Sequence, residues 1–198
     1  MTTLFEMVLV EEKKAIFIHI PHAAGTSMKL LLENHFDIEK INGVHAGFDA
    51  VSDKFEKYFK FCIVRNHWDW ILSKWCYLIG RQGELNPQIY NFITDTANSF
   101  TDFVVWYLSG GDPKLPQFSG FFNWGGENME KVDKFIKLDE NSFDGMSEVS
   151  KRLEIEDYNF RQAHQNHSIT RKAIYDRSSK ELVKKHYQRE IDFFDFEF

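Results

Sequence analysis

Two strand–loop–helix units constrain the fold of this 198-residue chain more than any other feature. In the first, the apolar run 16–20 stops at Pro21, and a helical pattern follows from Ser27. In the second, the apolar run 60–64 is followed by a helical pattern over 68–77. Short apolar strands that alternate with helices are typical of buried parallel strands in α/β proteins. We therefore predict an α/β fold with a short, mainly parallel sheet flanked by helices.

Composition supports one folded domain over residues 1–198. Hydrophobic residues make up 43% of the chain and aromatic residues 16%, which is enough for a packed core. The net charge of −6 argues against general nucleic-acid binding, because such binding needs a basic face. No window approaches the ~20 apolar residues of a membrane span, and no signal-peptide pattern is present, so we expect a soluble, cytoplasmic protein without a membrane partner. Cys62 and Cys76 are expected to be buried free thiols, as in a reducing compartment.

Local patterns predict the remaining elements. Residues 4–10 and 15–20 form two strands joined by a turn at 11–14, and the loop 114–128 is either functional or a flap over the core. The further predictions are a helix over 27–36, a loop or strand edge at 43–47, a short helix over 48–58, a helix over 100–108 capped by Ser99, a strand over 134–138, a helix over 143–153, a last helix capped by Ser178 or Ser179, and an aromatic tail over 193–198 that docks on the body.

The junction that follows residue 20 suits an anion. Backbone N–H groups at a helix N-terminus have no partner in the helix and carry partial positive charge, so they bind phosphate or sulfate well. Thr26 and Ser27 add hydroxyl donors at this point. Many βα junctions carry Gly, Ser and Thr only as turn and cap residues, so this pattern leaves both interpretations open. The spacing is not that of a Walker A loop.

The two units resemble motifs of the PAPS-dependent sulfotransferases. Residues 16–28, Ile-Phe-Ile-His-Ile-Pro-His-Ala-Ala-Gly-Thr-Ser-Met, resemble the donor-loop motif of this family, which commonly runs His-Ile-Pro-Lys-Thr-Ala/Gly-Gly/Ser-Thr-Ser. Residues 61–77 resemble its second motif, in which a strand ends in Val-Arg-Asn/Asp-Pro and a Ser follows on the next helix. Weaker likeness over 99–108, 132–141 and 187–196 extends the resemblance over nearly the whole chain. The most similar branch is the carbohydrate group that includes heparan 2-O-sulfotransferase.

The resemblance implies a P-loop-like sulfotransferase fold and a reaction. The reaction moves a sulfuryl group from PAPS to a hydroxyl or amine of a small-molecule or carbohydrate acceptor, leaves adenosine 3′,5′-bisphosphate, and needs no metal. Arg65 and Ser73 match the positions that hold the 3′-phosphate, and Arg171 lies in a polar loop of the kind that also reaches it. The residues implied to cradle the 5′-phosphosulfate are His22, Ala23, Ala24, Gly25, Thr26 and Ser27.

Two histidines carry the implied catalysis. His45 resembles the histidine that lies between the two motifs in the heparan 2-O-type branch, and imidazole titrates at a pH that suits a general base. His22 stands where the family usually has a lysine that supports the leaving group. An imidazolium could do part of that work, since neighbouring phosphates would favour the protonated form. The change at His22 also keeps open a nucleotide-binding protein with impaired catalysis.

Two further interpretations have less support in the sequence. A small-molecule or nucleotide kinase could use the same strand–loop–helix geometry, but the chain lacks a Walker lysine and an evident magnesium carboxylate. The pairs His19–His22 and His164–His167 have a spacing loosely like that of metal ligands. No Cys or Asp cluster joins either pair, so we predict no metal site.

Overall fold

The computed structural model describes residues 5–43, 54–80, 99–109, 129–138, 142–156 and 174–198. The strands are β1 (Phe5–Val10), β2 (Ala15–His19), β3 (Glu39–Gly43), β4 (Phe59–Val64) and β5 (Lys134–Lys137). The helices are α1 (Gly25–His35), α2 (His67–Gly80), α3 (Phe100–Leu108), α4 (Ser142–Leu153), α5 (Arg177–His186) and α6 (Gln188–Phe194). None of these described helices is long and apolar enough to cross a membrane.

The chain divides into two compact units. The first comprises Met1–Arg65 and Pro116–His164, and the second Asn66–Leu115 and Gln165–Phe198. The first unit contains the sheet with α1 and α4, and the second contains α2, α3, α5 and α6.

The sheet of the first unit is mixed. Its five strands lie in the order β3-β1-β2-β4-β5. β1 pairs antiparallel with both β2 and β3, whereas β2 with β4 and β4 with β5 are parallel pairs. α1 packs against β2 and α4 against β5. The α/β class with a helix-flanked sheet is confirmed, and its parallel half is the part that contains β2, β4 and β5.

The central strands β2 and β4 are buried, as their mainly apolar sequences predict. Phe17 on β2 and Phe61 on β4 have no exposed surface, and their ring centroids lie 5.4 Å apart. Cys62, beside Phe61, is buried, while Cys76 on α2 is half-buried. Each fully buried Phe stabilises the fold by about 2–3 kcal/mol relative to an exposed one. This aromatic layer therefore holds β2 and β4 side by side.

Three local details of the first unit differ from the expectation. The helix expected over 27–36 is confirmed as α1, but it begins two residues earlier, at Gly25, so Thr26 and Ser27 lie inside its first turn. Glu39–Gly43 forms a strand that the sequence does not predict, because its backbone pairs with β1 although it lacks an apolar alternation. Residues 54–58, the described part of the expected helix 48–58, form turns.

The predicted cap of the last long helix is also wrong, although Ser179 takes part in it. Asp176 is the N-cap of α5, and its side chain accepts hydrogen bonds from the backbone N–H and hydroxyl of Ser179. The hydroxyl of Ser179 in turn accepts from the N–H of Asp176. This is a capping box, with Asp176 as the N-cap and Ser179 as the third residue of the helix. The prediction for Ser99 is confirmed, since its hydroxyl accepts from the N–H of Asp102 at the start of α3.

The C-terminal tail docks on the start of α2, as its aromatic composition predicts. Both segments belong to the second unit. The Phe196 ring lies 5.8 Å from His67, and the Phe198 ring lies 5.6 Å from Trp68 in an edge-to-face arrangement. The Asn66 side-chain amide donates a hydrogen bond of 2.6 Å to the carbonyl of Glu197. Aromatic pairs of this kind contribute about 0.5–1.5 kcal/mol each beyond their buried area.

His67 should make the stability of the fold depend on pH. It has no exposed surface, and its ring centroid lies 4.6 Å from that of Tyr187. Burial, and then the charge of His186, lower the pKa of His67 to about 3. The unfolded chain takes up this proton near pH 6.5 and the folded chain does not, so stability is lost as the pH falls below 6.5. We expect the titration of His67 to lower the free energy of unfolding by about 2 kcal/mol when the pH falls from 7 to 5.

Urea denaturation across that pH range measures this effect. His67→Phe keeps an aromatic ring between Tyr187 and Phe196 and removes the proton site, so its stability should vary much less between pH 7 and pH 5. The matched control is His186→Gln, which leaves His67 in place and should keep most of the pH dependence. An unchanged pH dependence in His67→Phe would show that other groups cause it.

Candidate anion site

The carboxyl ends of β2 and β4 lie side by side, and the chain leaves them in opposite directions. After β2 it runs through α1 to β3 at one edge of the sheet, and after β4 it goes on towards β5 at the other edge. The strands are in parallel register, with Ile18 opposite Cys62. In open α/β sheets, ligands bind in the crevice at such a switch point. Arg65, the residue after β4, contacts the loop after β2 at this point of the first unit, which we call the crevice.

The loop from β2 to α1 contains two left-handed residues that are not glycine. His22 has φ 60° and Ala24 has φ 56°, and Ala23 between them does not have a positive φ. This conformation costs an L-residue about 1–2 kcal/mol, and such strain clusters at functional sites. Alternation of right- and left-handed residues turns successive N–H groups towards one concave side, which is the geometry that binds anions.

Four successive backbone amides line this loop. The N–H groups of Ala23, Ala24, Gly25 and Thr26 precede the hydrogen-bond ladder of α1, so they have no acceptor within the helix. The helical bonds begin one residue later, where the N–H groups of Ser27 and Met28 donate to the carbonyl of Ala24. Ala23 has no exposed surface. Buried backbone N–H groups are normally satisfied, so this run of donors is suited to the oxygens of a phosphate or sulfate.

Arg65 joins the loop from the end of β4. Its Nη1 donates a hydrogen bond of 3.2 Å to the carbonyl oxygen of His22, and its side chain is half-buried. A guanidinium can hold a backbone carbonyl and an anionic oxygen at the same time, because it carries five N–H donors in a fixed fork. The structure thus brings together two of the residues that sequence analysis singled out, from segments 43 positions apart.

His19, which sequence analysis considered only as one of a histidine pair and as part of the motif 16–28, packs against the loop. Its ring lies so close to Gly25 that a Cβ atom on this glycine would be 1.9 Å from His19 Cδ2. Gly25 therefore serves a close approach as well as a turn. The signal in the sequence was a histidine at the end of a strand, six positions before a glycine, which is too common a pattern to identify this contact.

The other predicted site residues are placed as follows. Thr26 is exposed and Ser27 is half-buried, both in the first turn of α1. Ser73 is half-buried on α2, in the second unit. His45 and Arg171 lie outside the described residues. So do His164, His167 and the loop 114–128.

Potential metal-ligating side chains do not form a cluster in the part of the chain that the structure describes. Within that part, no group of three or more His, Cys, Asp or Glu side chains is arranged to hold an ion. His19 and His22 flank the strand end as a pair without a carboxylate or thiolate cluster. Arg65 offers positive charge and hydrogen bonds, and the loop amides and the histidines offer hydrogen bonds.

Comparison of the chain with protein-family models, with curated proteins and with solved structures finds no match in any of the three. The likeness to sulfotransferase motifs rests on residues 16–28 and 61–77.

Proposed function

We propose that this chain is a PAPS-dependent sulfotransferase with a P-loop-like sulfotransferase fold. It would move a sulfuryl group from PAPS to a hydroxyl or amine of a small-molecule or carbohydrate acceptor. The observation that carries the proposal is the run of four amides, Ala23 to Thr26, beside Arg65 at the switch point of the sheet. This arrangement supports binding of a compact, doubly charged anion. The resemblance of residues 16–28 and 61–77 to the sulfotransferase motifs supports the identity of that anion.

The residues of the crevice fit the donor group. The loop amides and the N-terminal end of α1 would hold the phosphosulfate oxygens, and they would stabilise the charge that grows on the leaving phosphate. Arg65 would bind the 3′-phosphate, in the role that the resemblance also gives to Ser73 and Arg171. In its protonated form, His22 would supply the cation that a lysine supplies elsewhere in the family.

The proposed transfer is a single displacement at sulfur. The acceptor oxygen or nitrogen forms a bond to sulfur while the bond from sulfur to the bridging phosphate oxygen breaks. The acceptor proton passes to His45, and the leaving group departs as adenosine 3′,5′-bisphosphate. Because the amides are fixed before the reaction, they stabilise the leaving group without having to reorganise.

Calorimetry with adenosine 3′,5′-bisphosphate and with ATP tests the proposal. We expect the bisphosphate to bind more tightly than ATP. Arg65→Gln should weaken bisphosphate binding about tenfold, because a charged hydrogen bond contributes about 1.5 kcal/mol or more. Preference for ATP would favour a kinase, and absence of binding to either nucleotide would exclude the proposed function.

Arg152→Gln is the matched control for this experiment. Arg152 lies on α4 in the same unit, and its guanidinium carbon is 5.6 Å from the ring centroid of Phe59. Phe59 is the first residue of β4, whereas Arg65 follows the last, so the two arginines mark opposite ends of this strand. Both variants remove one positive charge, but only Arg65→Gln should weaken binding. Equal losses would mean that net charge, and not the crevice, holds the nucleotide.

A further inference from the structure

The ring of His19 packs directly against Gly25, the first residue of α1. A Cβ atom on Gly25 would lie 1.9 Å from His19 Cδ2, 2.2 Å from Nε2 and 2.8 Å from Cγ. Side chains do not approach a Cβ atom this closely, so the imidazole fills the space that any side chain at position 25 would need. The backbone of Gly25 therefore rests directly on the ring.

The core holds His19 in place from the other side. Phe17 and His19 project from the same face of β2, because side chains alternate along a strand. Their rings are stacked at a centroid distance of 6.0 Å and an angle of 19°. Phe17 is fully buried and packs against Phe61 of β4. The stack therefore extends from the core of the sheet through His19 to Gly25.

We propose that His19 is a positioning residue, whose ring fixes Gly25 and thereby the four loop amides in the geometry that binds an anion. This inference rests on the proposed function. Gly25 lies within the amide run from Ala23 to Thr26, so a shift of its backbone moves every donor of the run. Donors that hold an anion have to lie within ~0.5 Å of their productive positions. A glycine resting on a ring that is itself packed on a buried Phe meets this requirement.

A double-mutant cycle read by calorimetry tests this role. His19→Ala should weaken bisphosphate binding about tenfold, because it removes the support of the loop. Gly25→Ala should weaken binding by a similar factor, because the new methyl group collides with the ring. In the double variant the methyl group occupies space that the ring has left, so affinity should return to within about threefold of wild type. Circular dichroism confirms that each variant is folded at the temperature of the titration.

Leu32→Ala separates positioning from stability. Leu32 is fully buried on α1, two turns beyond the loop, so its loss creates a cavity without touching the amides. Its bisphosphate affinity, measured on the folded protein, should stay within about twofold of wild type. If His19→Ala fails to fold, Gly25→Ala with the double variant still tests the contact, since only a shared space predicts rescue.

The outcomes distinguish the two proposals. Suppose that the wild-type chain binds the bisphosphate. If the losses of affinity then add in the double variant, or if neither single variant loses affinity, the role of His19 is overturned and the nucleotide site is retained. A wild-type chain that does not bind the bisphosphate removes the proposed function, and the positioning role falls with it. Rescue in the double variant, with Leu32→Ala unaffected, supports both.

Discussion

Replacing His45 with alanine should abolish sulfuryl transfer and leave bisphosphate affinity nearly unchanged. A general base contributes about 10²–10⁴-fold to the rate, and it acts on the acceptor proton, not on the donor nucleotide. The residues proposed to hold the nucleotide are the loop amides and Arg65, which this substitution does not alter. Turnover is measured as transfer of a labelled sulfuryl group from PAPS to desulfated heparin oligosaccharides, and affinity by calorimetry.

His35→Ala is the control for the loss of a histidine. His35 is an exposed residue in the last turn of α1, and its Nδ1 lies 2.9 Å from the carbonyl oxygen of Leu31. Turnover in this variant should equal that of wild type. Full turnover in His45→Ala would remove His45 from the role of base. A wild-type chain that binds the bisphosphate but transfers nothing would instead favour a nucleotide-binding protein with impaired catalysis.

The same turnover assay, applied to His22→Lys, tests whether His22 supports the leaving group. A lysine ammonium keeps its charge over the whole working pH range, so this variant should keep or raise the turnover of wild type. A folded but inactive His22→Lys protein would show that the imidazole has a role that lysine cannot replace.

Lys74→Met should raise the free energy of unfolding at pH 7 by about 3 kcal/mol. Lys74 lies on α2 and is only 3% exposed. Burial lowers its pKa from 10.5 to about 8. At pH 7 the buried amine is charged, and its removal from water makes that charge unfavourable in the fold. The methionine side chain has a similar length and fills the same space without a charge.

The sign of this effect can be checked by raising the pH. Between pH 8 and pH 10.5 the folded amine loses its proton before the unfolded one does, so wild-type stability should rise with pH in this window. Lys74→Met should lack this rise. The matched control is Lys184→Met on α5, an exposed position at which stability should change by less than about 0.5 kcal/mol. A Lys74→Met protein less stable than wild type at pH 7 would show that the charged amine stabilises the fold.

Sequence reasoning predicted the elements that bury an apolar face. β2 and β4 are short, mainly apolar runs whose burial decides their structure, and their prediction is confirmed. The predicted strand β5 also forms, with Ile136 as its buried residue. β3 was missed because Glu39 and Lys40 carry no burial pattern, and backbone pairing with β1 is what makes this segment a strand. Backbone pairing between two strands cannot be predicted from the local pattern of apolar residues.

The candidate site could be predicted only in part. Its place after Pro21 and the involvement of Arg65 follow from the strand–loop–helix pattern. The left-handed backbone at Ala24 does not, because alanine has no preference for that conformation and the surrounding structure has to impose it. The contact of His19 with Gly25 is likewise a product of packing, which a single sequence does not display.

The topology of the sheet also has a consequence for the order of folding. β1, β2, α1 and β3 follow one another within residues 5–43, so their antiparallel pairings close short loops at low entropic cost. The parallel pairings of β4 and β5 join segments that are far apart in the chain, so we expect them to close later. Arg65 can reach His22 only when β4 has paired with β2, so we expect the crevice to be completed late in folding. An anion that binds this crevice recognises the finished sheet and therefore stabilises the whole unit against unfolding.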